Sequence, residues 1–176
     1  MLNALRRAAG EKRAAGALYA AIVARSREPV FFRDLSVADS FDGRFDLMVL
    51  HSWLVIDALR QTDLSELERR LVQVLFIAFD EGLRDQGAGD MGIGRRIKAM
   101  TSALYGRINV YDSAAAPDSL VAALKRNLYR GKDVPDDCLR QLLHYIAETR
   151  KSLATSDLAQ GDADFGALPR SLEKQH

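Results

Sequence analysis

Hydrophobic residues recur every three or four positions along most of the chain, and polar residues fill the positions between them. This spacing places hydrophobic side chains on one face of an α-helix. The segments that show it are 2–24, 46–60, 65–83, 90–108, 117–131 and 135–154. No run of alternating β-branched residues competes with them, and no internal repeat of about 20 to 50 residues is present. The pattern therefore predicts an all-α, single-domain bundle of about six helices.

Proline, glycine and aspartate mark several helix ends. Pro29 ends the first helix, because proline lacks an amide hydrogen and disfavours a helical residue before it. Asp90 is placed to cap the start of the fourth helix. Pro117 suits the first turn of the fifth helix, and Gly131 suits its end, where a left-handed conformation is common.

The segment 46–60 is apolar on nearly all sides. Leu47, Leu50 and Leu54 form one stripe, and large side chains such as Trp53 and Ile56 cover much of the remaining circumference. A helix of this kind must be covered on nearly all sides. We favour the interpretation that it is the central helix of the domain. The alternative is that its second apolar face meets a partner.

Two segments lack the helical pattern. Residues 30–43 are predicted to form an extended arm with aromatic anchors at Phe31, Phe32 and Phe41. Residues 155–176 are rich in Gly, Asp and Ala and are predicted to be a flexible tail. The expected organisation is a basic N-terminal helix over 1–28, a helical domain over 29–154 and this tail.

The overall composition is that of a globular protein, with 48% hydrophobic and 28% charged residues. The 25 Lys and Arg residues nearly balance the 24 Asp and Glu residues, so no global field would attract DNA or a membrane from a distance. Cys138 is the only cysteine, which indicates a reducing compartment. The longest apolar run, over 47–59, is too short to span a membrane. We expect a cytoplasmic protein.

The first 27 residues are more basic than the rest. They contain a single acid, Glu11, and a set of basic residues: Arg6, Arg7, Lys12, Arg13, Arg25 and Arg27. Such a segment is similar to a mitochondrial transit peptide, but it lacks the enrichment in serine. We favour a mature helix with a solvated basic face.

Residues for catalysis or metal binding are few. The three histidines are His51, His144 and His176, so a zinc site or a Ser-His-Asp site lacks its parts. His51 lies on the most apolar helix, where we expect it to be satisfied by hydrogen bonds inside the core. Asn127 shares the apolar face of its helix, so we expect a buried hydrogen bond that fixes helix packing. No enzymatic activity, metal or cofactor is expected.

The glycine-rich string over 87–94 invites comparison with a phosphate-binding loop. It follows a helix rather than a strand and lacks a Gly-Lys-Ser/Thr ending, so a glycine-rich turn is the better interpretation. The basic cluster Arg95, Arg96 and Lys98 follows in the first turns of the next helix, where positive charge opposes the helix dipole. This cluster is either an ordinary surface or a patch that meets an acidic partner, lipid headgroups or RNA phosphates.

Four strings together resemble the ubiquinol-cytochrome c chaperone family, in its alphaproteobacterial form. They are Asp-Gly-Arg-Phe-Asp (42–46), Leu-His-Ser-Trp-Leu-Val (50–55), the glycine-rich string with Arg-Arg-Ile-Lys (87–98) and Lys-Arg-Asn-Leu-Tyr (125–129). The resemblance extends over about residues 18–143 and includes the Tyr-Asp pair at 111 and 112. It implies an assembly factor that binds newly made cytochrome b until the other parts of respiratory complex III join it.

The resemblance also provides candidates for binding the client or a partner. They are the motif positions Asp42, Arg44, Phe45, His51, Trp53, Asp90, Arg96, Lys98, Tyr111, Arg126 and Asn127. The large side chains over 45–59 and 71–83 are candidates for an exposed apolar surface. Mitochondrial relatives also work with a small partner protein and at the ribosome. The basic N-terminal helix is expected to make peripheral contact with an anionic inner membrane.

Two other functions fit parts of the sequence. The first is a haem- or metal-binding carrier that uses His51 with a methionine such as Met48 or Met91. The second is an RNA-binding module that uses the basic N-terminal helix and the cluster over 95–98, although no aromatic platform lies beside these charges. Both are ranked below the chaperone, and DNA binding is not expected.

Overall fold

The structure is a computed structural model that describes residues 2–85, 90–114 and 116–170. Within them the chain forms seven α-helices and one 3-10 turn, and no strand. The elements are α1 (Leu2–Ser26), α2 (Pro29–Arg33), α3 (Phe41–Gln61), α4 (Ser65–Asp85), α5 (Asp90–Asp112), α6 (Pro117–Asn127), α7 (Asp136–Ala154) and the turn Leu158–Gln160. The predicted all-α single-domain bundle is confirmed, with six long helices and the short α2. None of the described helices is long and apolar enough to span a membrane.

Helix α3 lies at the centre of the bundle. It packs against α1, α4, α5 and α7. Its buried residues lie on every side of the helix and include Leu47, Val49, Leu50, Trp53, Leu54, Val55, Ile56 and Leu59. The interpretation of 46–60 as a central helix is therefore confirmed, and the helix begins five residues earlier than predicted. Its early start brings Phe41, Arg44 and Phe45 onto one helix.

The extended aromatic arm predicted for 30–43 is wrong. Pro29 starts α2, because its fixed φ and missing amide hydrogen suit the first position of a helix. Phe31 is buried in the core, and Phe41 is the first residue of α3. Ser40 caps α3 by accepting a hydrogen bond from the amide of Gly43 at 3.1 Å. Only the stretch 34–40 between the two helices is irregular.

The tail predicted for 155–176 is also wrong as far as residue 170. Residues 155–170, here called the C-terminal strap, pack onto α1 and α7. Leu158 and Phe165 are buried. The hydroxyl of Thr149 donates a hydrogen bond to the carbonyl of Phe165 at 3.0 Å, and Arg25 Nη2 donates one to the carbonyl of Gly166 at 2.8 Å. Residues 171–176 lie outside the described part of the chain.

The end of α6 is closed as the sequence predicts, by Gly131 in a left-handed conformation with φ of 73°. Its amide donates a hydrogen bond to the carbonyl of Lys125 at 2.9 Å. Arg130 also has positive φ, at 55°, although it is not glycine. A non-glycine residue adopts this conformation at a cost of about 1 kcal/mol, which other interactions of the folded protein must offset.

Candidate functional site

A groove of about 290 Å³ opens between α1, α3, α4 and α5, and we call it the apolar groove. Most of its lining is hydrophobic, and the residues that α1 and α3 contribute are spaced mostly three or four apart, so that they share a face of each helix. The lining residues are Tyr19, Val23, Ser26, Arg27, Phe41, Arg44, Phe45, Met48, Ala78, Phe79 and Met100. The site unites the first half of α3 with the middle of α4.

Phe45 forms the floor of this groove. Its ring lies 5.5 Å from that of Phe79, and the guanidinium of Arg107 lies 5.6 Å from its ring centroid. Phe45 is buried, whereas Phe41, one turn earlier, is 52% exposed. A large aromatic side chain that stays half exposed at the edge of an apolar groove is the kind of feature that marks a binding surface.

A second groove, of about 520 Å³, continues from the first, and we call it the cationic groove. The two share Arg27 and Arg44 in their linings. The other lining residues of the cationic groove are Pro29, Phe32, Arg33 and Asp39. Arg44 Nε donates a hydrogen bond to Asp39 at 2.7 Å, and its guanidinium lies 6.0 Å from the ring centroid of Phe32. Hydrophobic and positively charged surfaces therefore adjoin.

A buried carboxylate fixes the start of α3 beneath these grooves. Asp46 is fully buried, and its oxygens lie 2.9 Å from Arg107 Nη2 and 2.7 Å from Arg130 Nε. Arg130 also reaches Asp42 at 2.8 Å. Burial raises the pKa of the Asp46 carboxyl above its usual value, although both arginines act against this shift. The cluster ties α3 to α5 and to the turn after α6, where Arg130 has its left-handed backbone.

Trp53 and Tyr111, two candidates from the sequence, lie in the core rather than on a surface. Each is only 1% exposed, and their ring centroids are 5.1 Å apart. Trp53 Nε1 donates a hydrogen bond to Asp112 at 2.8 Å, and the guanidinium of Arg150 lies 4.7 Å from its ring centroid. These two residues therefore hold α3, α5 and α7 together.

His51 is satisfied inside the core, as the sequence predicts. Its Nδ1 donates a hydrogen bond to the carbonyl of Leu47 at 2.8 Å, so in the neutral ring Nε2 accepts one from the hydroxyl of Tyr145 at 2.9 Å. Burial lowers its pKa to about 4. Phe31 and Phe165 pack edge-on to its ring.

The carrier hypothesis gains no support from this arrangement. Both ring nitrogens of His51 are engaged in hydrogen bonds, whereas Met48 lines the apolar groove. The side chain of Met91 lies outside the described residues. Among the residues that the structure describes, no group of three His, Cys, Asp or Glu side chains is placed to hold a metal ion.

The remaining candidates are scattered. Arg96 and Lys98 are exposed on the first half of α5, and Arg126 is exposed on α6. Asp90 is the first residue of α5, and its side chain lies outside the described part of the chain. Asn127 is half-buried, and its Nδ2 has no hydrogen-bond partner among the described residues, so the expected packing bond is not seen at this atom.

Two sequence candidates, Arg44 and Phe45, line the apolar groove, and Asp42 lies on the same first turns of α3. The sequence predicted an exposed apolar surface in 45–59 and 71–83. The groove uses Phe45, Met48, Ala78 and Phe79 from these segments. The sequence analysis did not assign the other lining residues of the groove to a site, among them Tyr19, Val23 and Met100. The i, i+4 spacing of Tyr19 and Val23 could have shown that these two share one face of α1.

The chain was compared with known families and structures. A family model described as ubiquinol-cytochrome C chaperone matches residues 33–163. The chain is also similar to the crystal structure of the Cbp3 homolog from Brucella abortus, with 29% sequence identity and a TM-score of 0.78. That match covers 95% of this chain and 97% of the other. The sequence matched none of the curated proteins with which it was compared. Because the family model covers more than half of the chain, the protein belongs to the ubiquinol-cytochrome c chaperone family.

Proposed function

We propose that the protein is a non-enzymatic chaperone that binds newly synthesised cytochrome b and helps to assemble it into respiratory complex III. Its membership of the ubiquinol-cytochrome c chaperone family supports a role in the assembly of this complex. The observation that carries the choice of client is the apolar groove, with half-exposed Phe41 at its edge.

The lining of the groove suits a client made of hydrophobic helices. An amphipathic or apolar helix binds in a hydrophobic groove through side chains spaced three and four residues apart. Aromatic side chains provide large contact areas, and methionines such as Met48 and Met100 adapt to different neighbours. A membrane protein that awaits its partners exposes such side chains, and water penalises their exposure.

The client assignment is tested by purifying the tagged protein from its host in mild detergent and measuring how much cytochrome b comes with it. We expect the double variant Phe41→Ser, Met48→Ser to lose most of the captured cytochrome b, because it makes the groove polar. The matched control is Leu168→Ser, which changes an apolar side chain that is 42% exposed on the C-terminal strap. The proposal fails if the groove variant and the control capture equal amounts.

We also propose that α1 brings the chaperone to an anionic membrane surface. Arg6, Arg7, Lys12 and Arg13 are exposed on this helix, although Arg7 pairs with Glu11 at 3.0 Å. A basic side chain near an anionic bilayer contributes about 1 kcal/mol. In flotation with phosphatidylserine vesicles, we expect binding that weakens with salt and is reduced in Lys12→Glu, Arg13→Glu. Equal flotation of this variant and the wild-type protein would contradict the proposal.

A further inference from the structure

We infer that the segment that docks in the apolar groove is an amphipathic helix with carboxylate side chains at the end that lies against Arg27 and Arg44. The inference rests on the proposed function and names the chemistry of the client segment. The positive charge of Arg27 and Arg44 at one end of the groove determines the direction in which this helix lies.

The first support is the continuity of the two grooves. Arg27 and Arg44 line both, so the hydrophobic walls at Phe45 and Phe79 adjoin the positively charged walls at Arg33. A ligand that fills both parts must therefore be apolar over one part of its length and negatively charged at the other.

The second support is that the arginines of the cationic groove are only weakly paired with carboxylates of this chain. Among the described residues, no carboxylate lies within ion-pair distance of Arg27, whereas Arg33 pairs with its neighbour Asp34 at 3.2 Å. Arg44 pairs with Asp39, but the two side chains are 61% and 58% exposed, so this bond contributes little and can be exchanged. It uses only Nε of Arg44, and the other guanidinium nitrogens can donate to a ligand carboxylate.

The hydrophobic part of the apolar groove defines its other end. Tyr19 lies earlier on α1 than Arg27, and the walls at Phe45 and Phe79 are hydrophobic. A docked helix with acids at one end is attracted to Arg27 and Arg44, whereas the reverse orientation places those acids against hydrophobic walls.

The length of the site determines how far apart the anchoring side chains of the ligand helix must be. From Tyr19 to Arg27, α1 rises by about 12 Å, which is about two helical turns. A ligand helix that lies along α1 therefore places apolar anchors at positions i and i+4 and a carboxylate about seven or eight residues from the first anchor. A single helix can satisfy this pattern on one face.

The test uses the full-length protein and a fluorescent Leu- and Ala-rich peptide of about 18 residues, long enough to retain some helix. Three versions carry Glu, Gln or Lys in the last turn. We expect the Glu peptide to bind about five- to tenfold more tightly than the Lys peptide at low salt, with a smaller difference at high salt. In the variant Arg27→Glu, Arg44→Glu this order should reverse.

The matched control is Arg140→Glu, which reverses another exposed arginine that pairs with an exposed acid, Asp137. It should keep the wild-type order. Glu at position 44 lies in the first turns of α3, where a negative charge agrees with the helix dipole, so the groove variant should fold, as a thermal melt will show. Equal binding of all three peptides, an unchanged order in the groove variant, or no peptide binding overturns the inference. Capture of cytochrome b by the wild-type protein then decides separately whether the proposed function stands.

Discussion

The His51 ring lies where three aromatic side chains meet. Phe31, Tyr145 and Phe165 surround it, and its two nitrogens are held by Leu47 and the hydroxyl of Tyr145. A proton added to Nε2 would place a positive charge in a site that water does not reach, and burial disfavours the charged form. The folded state therefore favours a neutral ring.

This preference predicts how stability depends on pH. In the unfolded chain His51 takes up a proton near its ordinary pKa of 6.5, whereas in the folded protein it does so near pH 4. Between these values the unfolded state binds the extra proton, so stability is greatest above about pH 6.5 and falls as the pH drops towards 4. The total loss is about 3 kcal/mol, measured as the free energy of unfolding in urea at several pH values.

The variant His51→Gln should be less stable at neutral pH but should lose much less stability on acidification. His144→Gln is the matched control, because His144 is exposed on α7. It should keep the pH dependence of the wild-type protein. If His51→Gln retains the full acid-induced loss, the histidine is not its cause.

Motif residues were assigned to a binding site from the sequence, and several of them are buried. A motif shows which side chains occur together, but it does not show which way each one points. Trp53 illustrates this, because its partner Asp112 lies 59 positions away in sequence and on another helix. Asp46 shows the reverse case: it is buried, and nothing in its local sequence indicated that two distant arginines would pair with it.

At the level of single elements, the start of α3 depends on close backbone contact. A Cβ atom added at Gly43 would lie 2.0 Å from the carbonyl oxygen of Ala38. Rotation of a side chain cannot relieve this clash, because the position of a Cβ atom is fixed by the backbone of its own residue and the carbonyl oxygen belongs to the backbone of Ala38. The loop over 34–40 can therefore pack against α3 only if residue 43 is glycine.

Substitution of two glycines by alanine should have opposite effects. Gly43→Ala should destabilise the protein by at least about 2 kcal/mol, because the loop must move away from α3. Gly16→Ala should stabilise it by up to about 1 kcal/mol, because Gly16 lies within α1 with no other atom near the added methyl group. Urea unfolding midpoints will measure both. A neutral result for Gly43→Ala would contradict the close contact.

Helical periodicity predicted the long elements well and the short ones poorly. Helices α4 and α7 begin at or next to the predicted positions, because each carries a clear apolar stripe. Helix α2 has only five residues, which is too short for a periodic pattern to appear. The three aromatic residues near it were therefore taken as anchors of an arm, although Phe31 is part of the core.

At the level of the whole molecule, the C-terminal strap connects the first and last helices. Gly161 lies so close to α1 that an added Cβ atom would be 2.8 to 2.9 Å from Ala14 and Ala17. Phe165 lies over the His51 ring, and the guanidinium of Arg25 is 5.5 Å from its ring centroid. The strap thus contributes Leu158 and Phe165 to the core.

Phe165→Ala should therefore destabilise the protein by about 3 kcal/mol, the usual cost of removing a buried aromatic side chain. Leu168→Ala changes a nearby exposed side chain and should cost less than about 0.5 kcal/mol. Thermal or urea unfolding of the two variants will compare them. A flexible tail would instead make both substitutions neutral.

The strap could not be predicted from its composition. Its glycines and aspartates are typical of a flexible segment, and it offers few apolar residues to a pattern search. Two of them, Leu158 and Phe165, are enough to anchor it, because sites for them already exist on the folded bundle. Such sites belong to the folded bundle and are not visible in the local sequence.

The position of the C-terminal strap, after α7 in the chain, affects when α1 is covered during synthesis. The ribosome makes α1 before the strap, so α1 receives its cover from Leu158 and Gly161 only after α7 has been made. Until then, part of its apolar face is exposed to water and to other nascent proteins. The cover of α1 is therefore complete only once the C-terminal strap has followed α7 and docked onto the bundle.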